Sequence, residues 1–121
     1  MMTAAATRIA AVMGLLAVVL GAFGAHSLKN LLGQNGTLTI WEKAVFYHFI
    51  HAVMLFVLAE RTVLPKLAWW SFFAGIVIFS GSLYLLAVTN LRWLGAITPF
   101  GGAAFIVGWC ALLCCSRLEK K

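Results

Sequence analysis

The chain has 121 residues. It is 64% hydrophobic and 10% charged, with nine basic and three acidic side chains and a formal net charge of +6. Soluble domains run at roughly 45–50% apolar and about 25% charged, so a soluble globular domain is excluded, as is disorder, which needs low hydrophobicity. The positive charge is not a nucleic-acid footprint, because the basic residues sit singly between apolar runs and form no block to track a phosphate backbone.

Charges mark where water begins. Four stretches carry none between their flanking charges: residues 9–25, 44–59, 67–91 and 93–116, with 17, 16, 25 and 24 residues. A membrane-spanning helix needs about 20 apolar residues, within a range of about 17–25. The second stretch is short, but Trp41 and the snorkelling stem of Lys43 extend it. Lipid offers backbone groups no partner, and no stretch alternates with period two, so these are helices and not barrel strands. The expected fold class is all-α, an integral membrane four-helix bundle. It forms one domain over residues 1–121, with helices near 8–27, 42–60, 67–89 and 94–116.

In chain order, the first helix carries small residues at Ala10, Gly14, Ala17, Gly21 and Ala25, a stripe suited to close helix packing. A secretory signal peptide is the rival reading, with Arg8 as its n-region and Ala22-Phe23-Gly24 as a cleavage site. Residues 26–43 form the one long connection. Gly33-Gln34-Asn35-Gly36 is a turn cluster, and Leu28, Leu31 and Leu32 suit a short interfacial helix. The second helix places Tyr47, His48 and His51 at spacings of three and four, on one face. Leu64-Pro65-Lys66 turns into the third helix, which carries Ser71, Gly75, Ser80, Ser82 and Tyr84. Thr89-Asn90-Leu91-Arg92 is the next turn. Thr98-Pro99 reads as N-cap and first position of the fourth helix, the alternative being a helix from Trp93 kinked at Pro99. A second small-residue stripe follows at Gly101, Ala104, Gly108, Ala111 and Cys115. Cys110, Cys114 and Cys115 contain no CxxC and fit no disulfide framework, and Cys110 and Cys114 are expected to pack inside the bundle. Trp41, Trp69, Trp70 and Trp93 fall near helix ends, as interfacial aromatics do.

Basic residues set the expected orientation. Arg8, Arg61, Lys66, Arg117, Lys120 and Lys121 share one side; Lys29, Lys43 and Arg92 share the other. Six against three puts both termini in the cytoplasm.

Polar residues in lipid are costly and are the first candidates for chemistry. His26, Tyr47, His51, Ser80, Ser82, Tyr84 and Thr98 all fall in the mid-to-outer half and can line a shared polar pocket. Three readings stand. The groups fix helix register by bonding one another; or the histidines relay protons; or they ligate metal or haem, with His26, His48 and His51 as weak candidates. No motif fixes a ligand geometry, so neither metal nor other cofactor is expected. The chain has no Asp, and Glu42, Glu60 and Glu119 lie at segment edges. Ser80 therefore lacks a triad, and Gly101-Gly102 is too little for a phosphate loop. No enzyme is expected. The expected partners are the lipid bilayer and a membrane protein or second copy, with no nucleic acid.

Leu20-Gly21-Ala22-Phe23-Gly24-Ala25-His26 resembles the signature of the family catalogued as domain of unknown function 423, the YgdD-like and transmembrane protein 256-like small membrane proteins. Tyr47 with His51, Phe79-Ser80-Gly81-Ser82-Leu83-Tyr84, Thr98-Pro99 with Gly101-Gly102, and Gly108-Trp109 follow in order. The resemblance implies a four-helix multi-pass protein that keeps its first helix. It implies His26, Tyr47, His51 and Tyr84 as shared polar positions, with His48 outside the pattern. It brings no activity. With the charge asymmetry, it points to a bacterial inner membrane. The expected role is a non-enzymatic bundle that binds a partner or small ligand through its polar outer half. The alternatives are a small oligomeric transporter or proton-linked channel, and a haem- or metal-binding protein.

Overall fold

A computed structural model describes the backbone of residues 2–119 and the side chains of residues 4–114. Helix α1 is Met2–Ala25, α2 is Lys29–Asn35 and α3 is Leu38–Ala59. One long rod follows: α4 (Lys66–Gly75), a π-helical turn at Ile76–Ser80, and α5 (Gly81–Thr89). A 3-10 turn at Arg92–Ala96 then leads into α6 (Thr98–Glu119). Four helical stretches are long and apolar enough to cross a membrane: Ala4–Ala25, Leu38–Ala59, Lys66–Thr89 and Arg92–Cys114. The protein is an all-α membrane bundle, with no strand among the described residues.

The boundaries follow local chemistry. Gly36 ends α2 in the left-handed region at φ 68, where a residue without Cβ is unstrained. Asn90 does the same for α5 at φ 60. The helix does start at Thr98, as Thr98-Pro99 suggests, and the preceding residues form a 3-10 turn instead of a kinked continuation from Trp93.

The rods form a row. Helix α1 packs on α3, α3 on the α4–α5 rod, and α6 on α4 and the π turn. The main core joins Ala6 and Ala10 of α1, Ala52 and Leu55 of α3, Trp69 and Phe72 of α4, and Phe105 of α6. A smaller cluster at the α2 end joins Leu32, Trp41 and Ala87. Most large apolar side chains on the outer faces, such as Leu15, Phe100 and Leu113, are exposed. Lipid solvates them as well as a protein interior would.

Close approach decides which small residues matter. A Cβ at Gly101 would overlap the Phe79 backbone; one at Gly108 would meet the Phe72 ring, and one at Gly75 the Phe105 ring. Ala104 lies half-buried on the same side of α6, whereas the side chain of Cys115 lies outside the described residues. On α1, Ala17 is fully buried and a Cβ at Gly21 would lie 3.3 Å from Val45 Cγ1. Two members of the expected α1 stripe depart from it. Gly14 would meet nothing within 4 Å, and Ala25 is exposed. Gly24 takes the close contact instead, since a Cβ there would overlap the Trp41 indole. The cause is angular: adjacent positions differ by about 100° around a helix, and α1 turns Ala6, Ala10, Ala17 and Gly24 inward.

Two further expectations are corrected. Trp41 and Trp69 are not interfacial anchors. They are 3% and 1% exposed, and each indole N–H donates to a backbone carbonyl of a neighbouring helix, Leu20 at 2.9 Å and Leu55 at 3.2 Å. Trp70 and Trp93 are exposed. Cys110 and Cys114 are exposed free thiols rather than core residues. A weakly polar thiol has little to gain from leaving lipid.

Candidate functional site

The polar side chains of the spans do not pool in one cavity. They sort into pairs between helices. Tyr84 O–H lies 2.8 Å from His48 Nδ1, joining α5 to α3. The other ring nitrogen of His48 is buried and has no hydrogen-bond partner among the described residues. The tautomer of His48 sets the direction of this bond: a bare Nδ1 accepts the phenol O–H, and a protonated Nδ1 donates to the phenol oxygen. Ser80 is fully buried in the π turn and donates to the Ala44 carbonyl at 2.8 Å. Ser82 Oγ sits 2.7 Å from Thr98 Oγ1 and donates to the Phe79 carbonyl at 2.9 Å. Each such bond satisfies a group that hydrocarbon would leave bare.

His51 occupies the middle of α3 and faces α6. Its Nδ1–H donates to the Tyr47 carbonyl at 2.8 Å, so Nε2 is free to accept the Trp109 indole N–H at 3.1 Å. Its ring stacks on Phe105 with centroids 3.7 Å apart and planes 10° apart. Both nitrogens and one face are thereby engaged, and the imidazole is 4% exposed. The histidines also part company, His48 toward Tyr84 and His51 toward Trp109. Among the described residues no three His, Cys, Asp or Glu side chains gather as a metal site.

His26 stands apart. It follows the end of α1 and is exposed, with its backbone N–H bonded to the Ala22 and Phe23 carbonyls. The α2 end is tied by other residues. Thr37 Oγ1 donates to the Ala87 carbonyl at 2.7 Å, Asn35 Nδ2 donates to Ala87 and Val88, and Arg92 donates back to the Asn35 carbonyl. These bonds cap last-turn carbonyls of α5 and α2 that have no partner within their own helices.

Because α3 and α6 both rest on the central rod, a groove of about 470 Å³ opens between them. His51, Phe79 and Phe105 form its floor. Tyr47 and Trp109 flank it, and Pro99, Gly102 and Ala103 form its α6 edge. The Tyr47 ring leans on Phe79, with centroids 4.7 Å apart, and is 37% exposed. Its hydroxyl has no hydrogen-bond partner among the described residues, although Tyr47 is near the centre of its span. Phe105 and Trp109 complete this site; neither is among the expected pocket residues, and Trp109 is picked out in the sequence only through the Gly108-Trp109 match. The available signal was an aromatic four residues after Gly101, and a second four residues on, facing the Tyr47–His51 pair.

Comparisons with known proteins fit this architecture. The model of the family described as "Protein of unknown function (DUF423)" matches residues 20–102. The chain is 50% identical over 107 residues to UPF0382 membrane protein YwdK of Bacillus subtilis, covering 82% of this chain and 85% of the relative. It is 48% identical over 103 residues to UPF0382 membrane protein SSP2132 of Staphylococcus saprophyticus, covering 82% and 85%. It is 43% identical over 103 residues to UPF0382 membrane protein SAB0533 of Staphylococcus aureus, covering 82% and 84%. No solved structure matches. With the family model spanning well over half of a chain whose four apolar helices suit a bilayer, this protein belongs to the DUF423 family of membrane proteins of unknown function.

Proposed function

We propose that the protein is a non-enzymatic membrane bundle that seats a transmembrane helix of a partner protein in the groove between α3 and α6. One observation carries this reading: the unpartnered Tyr47 hydroxyl. Tyr47 lies nine residues from Leu38 and twelve from Ala59, hence about 13 and 18 Å from the helix ends at 1.5 Å per residue. Its phenol therefore lies within the hydrocarbon, about 30 Å thick, where a hydroxyl without a partner costs about 1–3 kcal/mol. Acyl chains offer no acceptor. A partner helix offers backbone carbonyls and side-chain hydroxyls at that depth. Gly102 and Ala103 on the groove edge leave room for a helix to approach closely.

His26, Ser80, Ser82, Tyr84 and Thr98 take supporting roles in this reading. Ser80, Ser82, Tyr84 and Thr98 hold the helices in register, and His26 lies at the membrane surface. A proton relay through His51 is disfavoured because both of its nitrogens are already bonded. The bundle is assigned to a bacterial inner membrane with both termini cytoplasmic, supported by the six-to-three distribution of basic residues.

Co-purification from native membranes in mild detergent tests the proposal. Gly102→Leu fills the groove, and Tyr47→Phe removes the hydroxyl alone. The expected result is a stoichiometric partner retained by the wild type, lost with Gly102→Leu and weakened with Tyr47→Phe. A second copy of this chain as the retained species identifies the partner as the protein itself. Equal retention by all three, or a lone monomer throughout, overturns the reading.

A further inference from the structure

On the opposite side of α3, a larger groove of about 710 Å³ opens between α1 and α3. Gly21, Gly24 and Ala25 form its α1 wall, and Trp41, Val45 and Phe49 line the α3 wall. The lining runs from Leu38 to Ile50, thirteen residues and so about 18 Å of helix, from the α2 end toward mid-bilayer. That length suits an acyl chain. The walls are apolar except at the mouth, where Lys29 of α2 and Glu42 of α3 carry opposite charges. Both side chains are exposed, and neither makes an ion pair with any described residue. A chain with only three acidic residues has left one of them unneutralised beside a lipid-sized groove.

We infer that this groove binds a phospholipid with a zwitterionic, primary-amine headgroup. One acyl chain lies along Gly21, Val45 and Phe49. Lys29 pairs with the phosphate, and Glu42 accepts hydrogen bonds from the headgroup ammonium. Charge complementarity selects this occupant. An anionic headgroup with a neutral polyol would satisfy Lys29 but leave its net negative charge facing Glu42. A quaternary ammonium would satisfy Glu42 by charge alone, without an N–H to donate. The bare apolar groove would hold any acyl chain equally, so discrimination resides in the two charges. The site is independent of the α3–α6 groove, since Tyr47 and His51 take no part in it.

Native mass spectrometry tests the inference with full-length protein released from nanodiscs of equal parts phosphatidylethanolamine, phosphatidylglycerol and phosphatidylcholine. The expected result is one retained lipid per chain, with phosphatidylethanolamine favoured by roughly two- to fivefold, the ratio that a solvent-facing ion pair supports. Glu42→Gln abolishes the preference over phosphatidylglycerol. Lys29→Gln lowers retention of all three. Ala25→Phe, at an exposed lining position, blocks the groove and removes the retained lipid, while unchanged thermal unfolding shows the variant intact. Equal retention of the three lipids by the wild type, or a preference for phosphatidylglycerol, overturns the inference. So does a phosphatidylethanolamine preference that survives in Glu42→Gln.

Discussion

Gly101→Ala places one methyl group where α6 crosses the π turn. The added Cβ would overlap the nitrogen and Cα of Phe79, which are backbone atoms and cannot rotate away as a side chain can. Overpacking a tight site costs about 1–3 kcal/mol, and a backbone obstacle sets the upper end, about 3 kcal/mol. Replacing Gly by Ala in a helix returns about 1 kcal/mol through propensity. The net loss is about 2 kcal/mol, or roughly a 30-fold fall in the folding equilibrium at about 1.4 kcal/mol per decade. Gly14→Ala is the matched control. It sits mid-helix in α1 with nothing within 4 Å of the new Cβ, so only the propensity gain remains. Equilibrium unfolding in mixed micelles, followed by helicity, measures both. The expected outcome is a separation of about 3 kcal/mol between the two variants. Agreement of the two within about 0.5 kcal/mol would refute the claim that backbone contact at Gly101 sets the α6 crossing.

Smaller effects are expected elsewhere. Tyr84→Phe deletes the bond to His48 Nδ1 and should cost about 0.6–1.7 kcal/mol, the range seen for bonds between membrane helices; a double-mutant cycle with His48→Phe reads the coupling. Asn90→Ala forces an ordinary residue to φ 60 and should cost about 1–2 kcal/mol, while Asn90→Gly should be near neutral, as unfolding midpoints will report. For orientation, Gln34→Cys and Thr62→Cys in a cysteine-free background occupy exposed positions at opposite ends of the bundle. An impermeant maleimide on intact cells should label the first and spare the second; the reverse pattern contradicts cytoplasmic termini.

Much of the fold is legible in the chain because charge is expensive in hydrocarbon. The positions of Arg8, His26, Lys43, Glu60, Lys66, Arg92 and Arg117 mark out the four charge-free stretches, although α1 and α3 begin before Arg8 and Lys43. Helix order is less legible. Nothing in periodicity says that α1 meets α3 and that α6 meets α4, because lipid-facing and protein-facing surfaces are equally apolar. The same ambiguity hides which small residues touch. Gly14 and Gly24 look alike in sequence, yet only Gly24 lies against an indole. Trp41 and Trp69 read as interfacial by position, and their inward turn follows from carbonyls of Leu20 and Leu55 that have a spare lone pair for each N–H.

The site shows the same limit. Spacing puts Tyr47, His48 and His51 on one helical face, but the three span about 100° of arc and so look toward two neighbours. His48 turns to α5 and His51 to α6. The π turn at Ile76–Ser80 was not foreseen, although glycine and serine at Gly75, Ser80 and Gly81 are the residues that let a helix accept an extra one. The π turn brings Ser80 onto the Ala44 carbonyl and Phe79 onto Gly101, thereby shaping the groove floor.

The central claim is that the Tyr47 hydroxyl faces a defined partner and not bulk lipid. A photoreactive benzophenone side chain at position 47, activated in native membranes, tests it most directly, with Leu15 as a control at an exposed position of α1. A single discrete protein adduct at position 47, absent at position 15, is the expected result. Diffuse lipid adducts of equal yield at both positions would contradict the account.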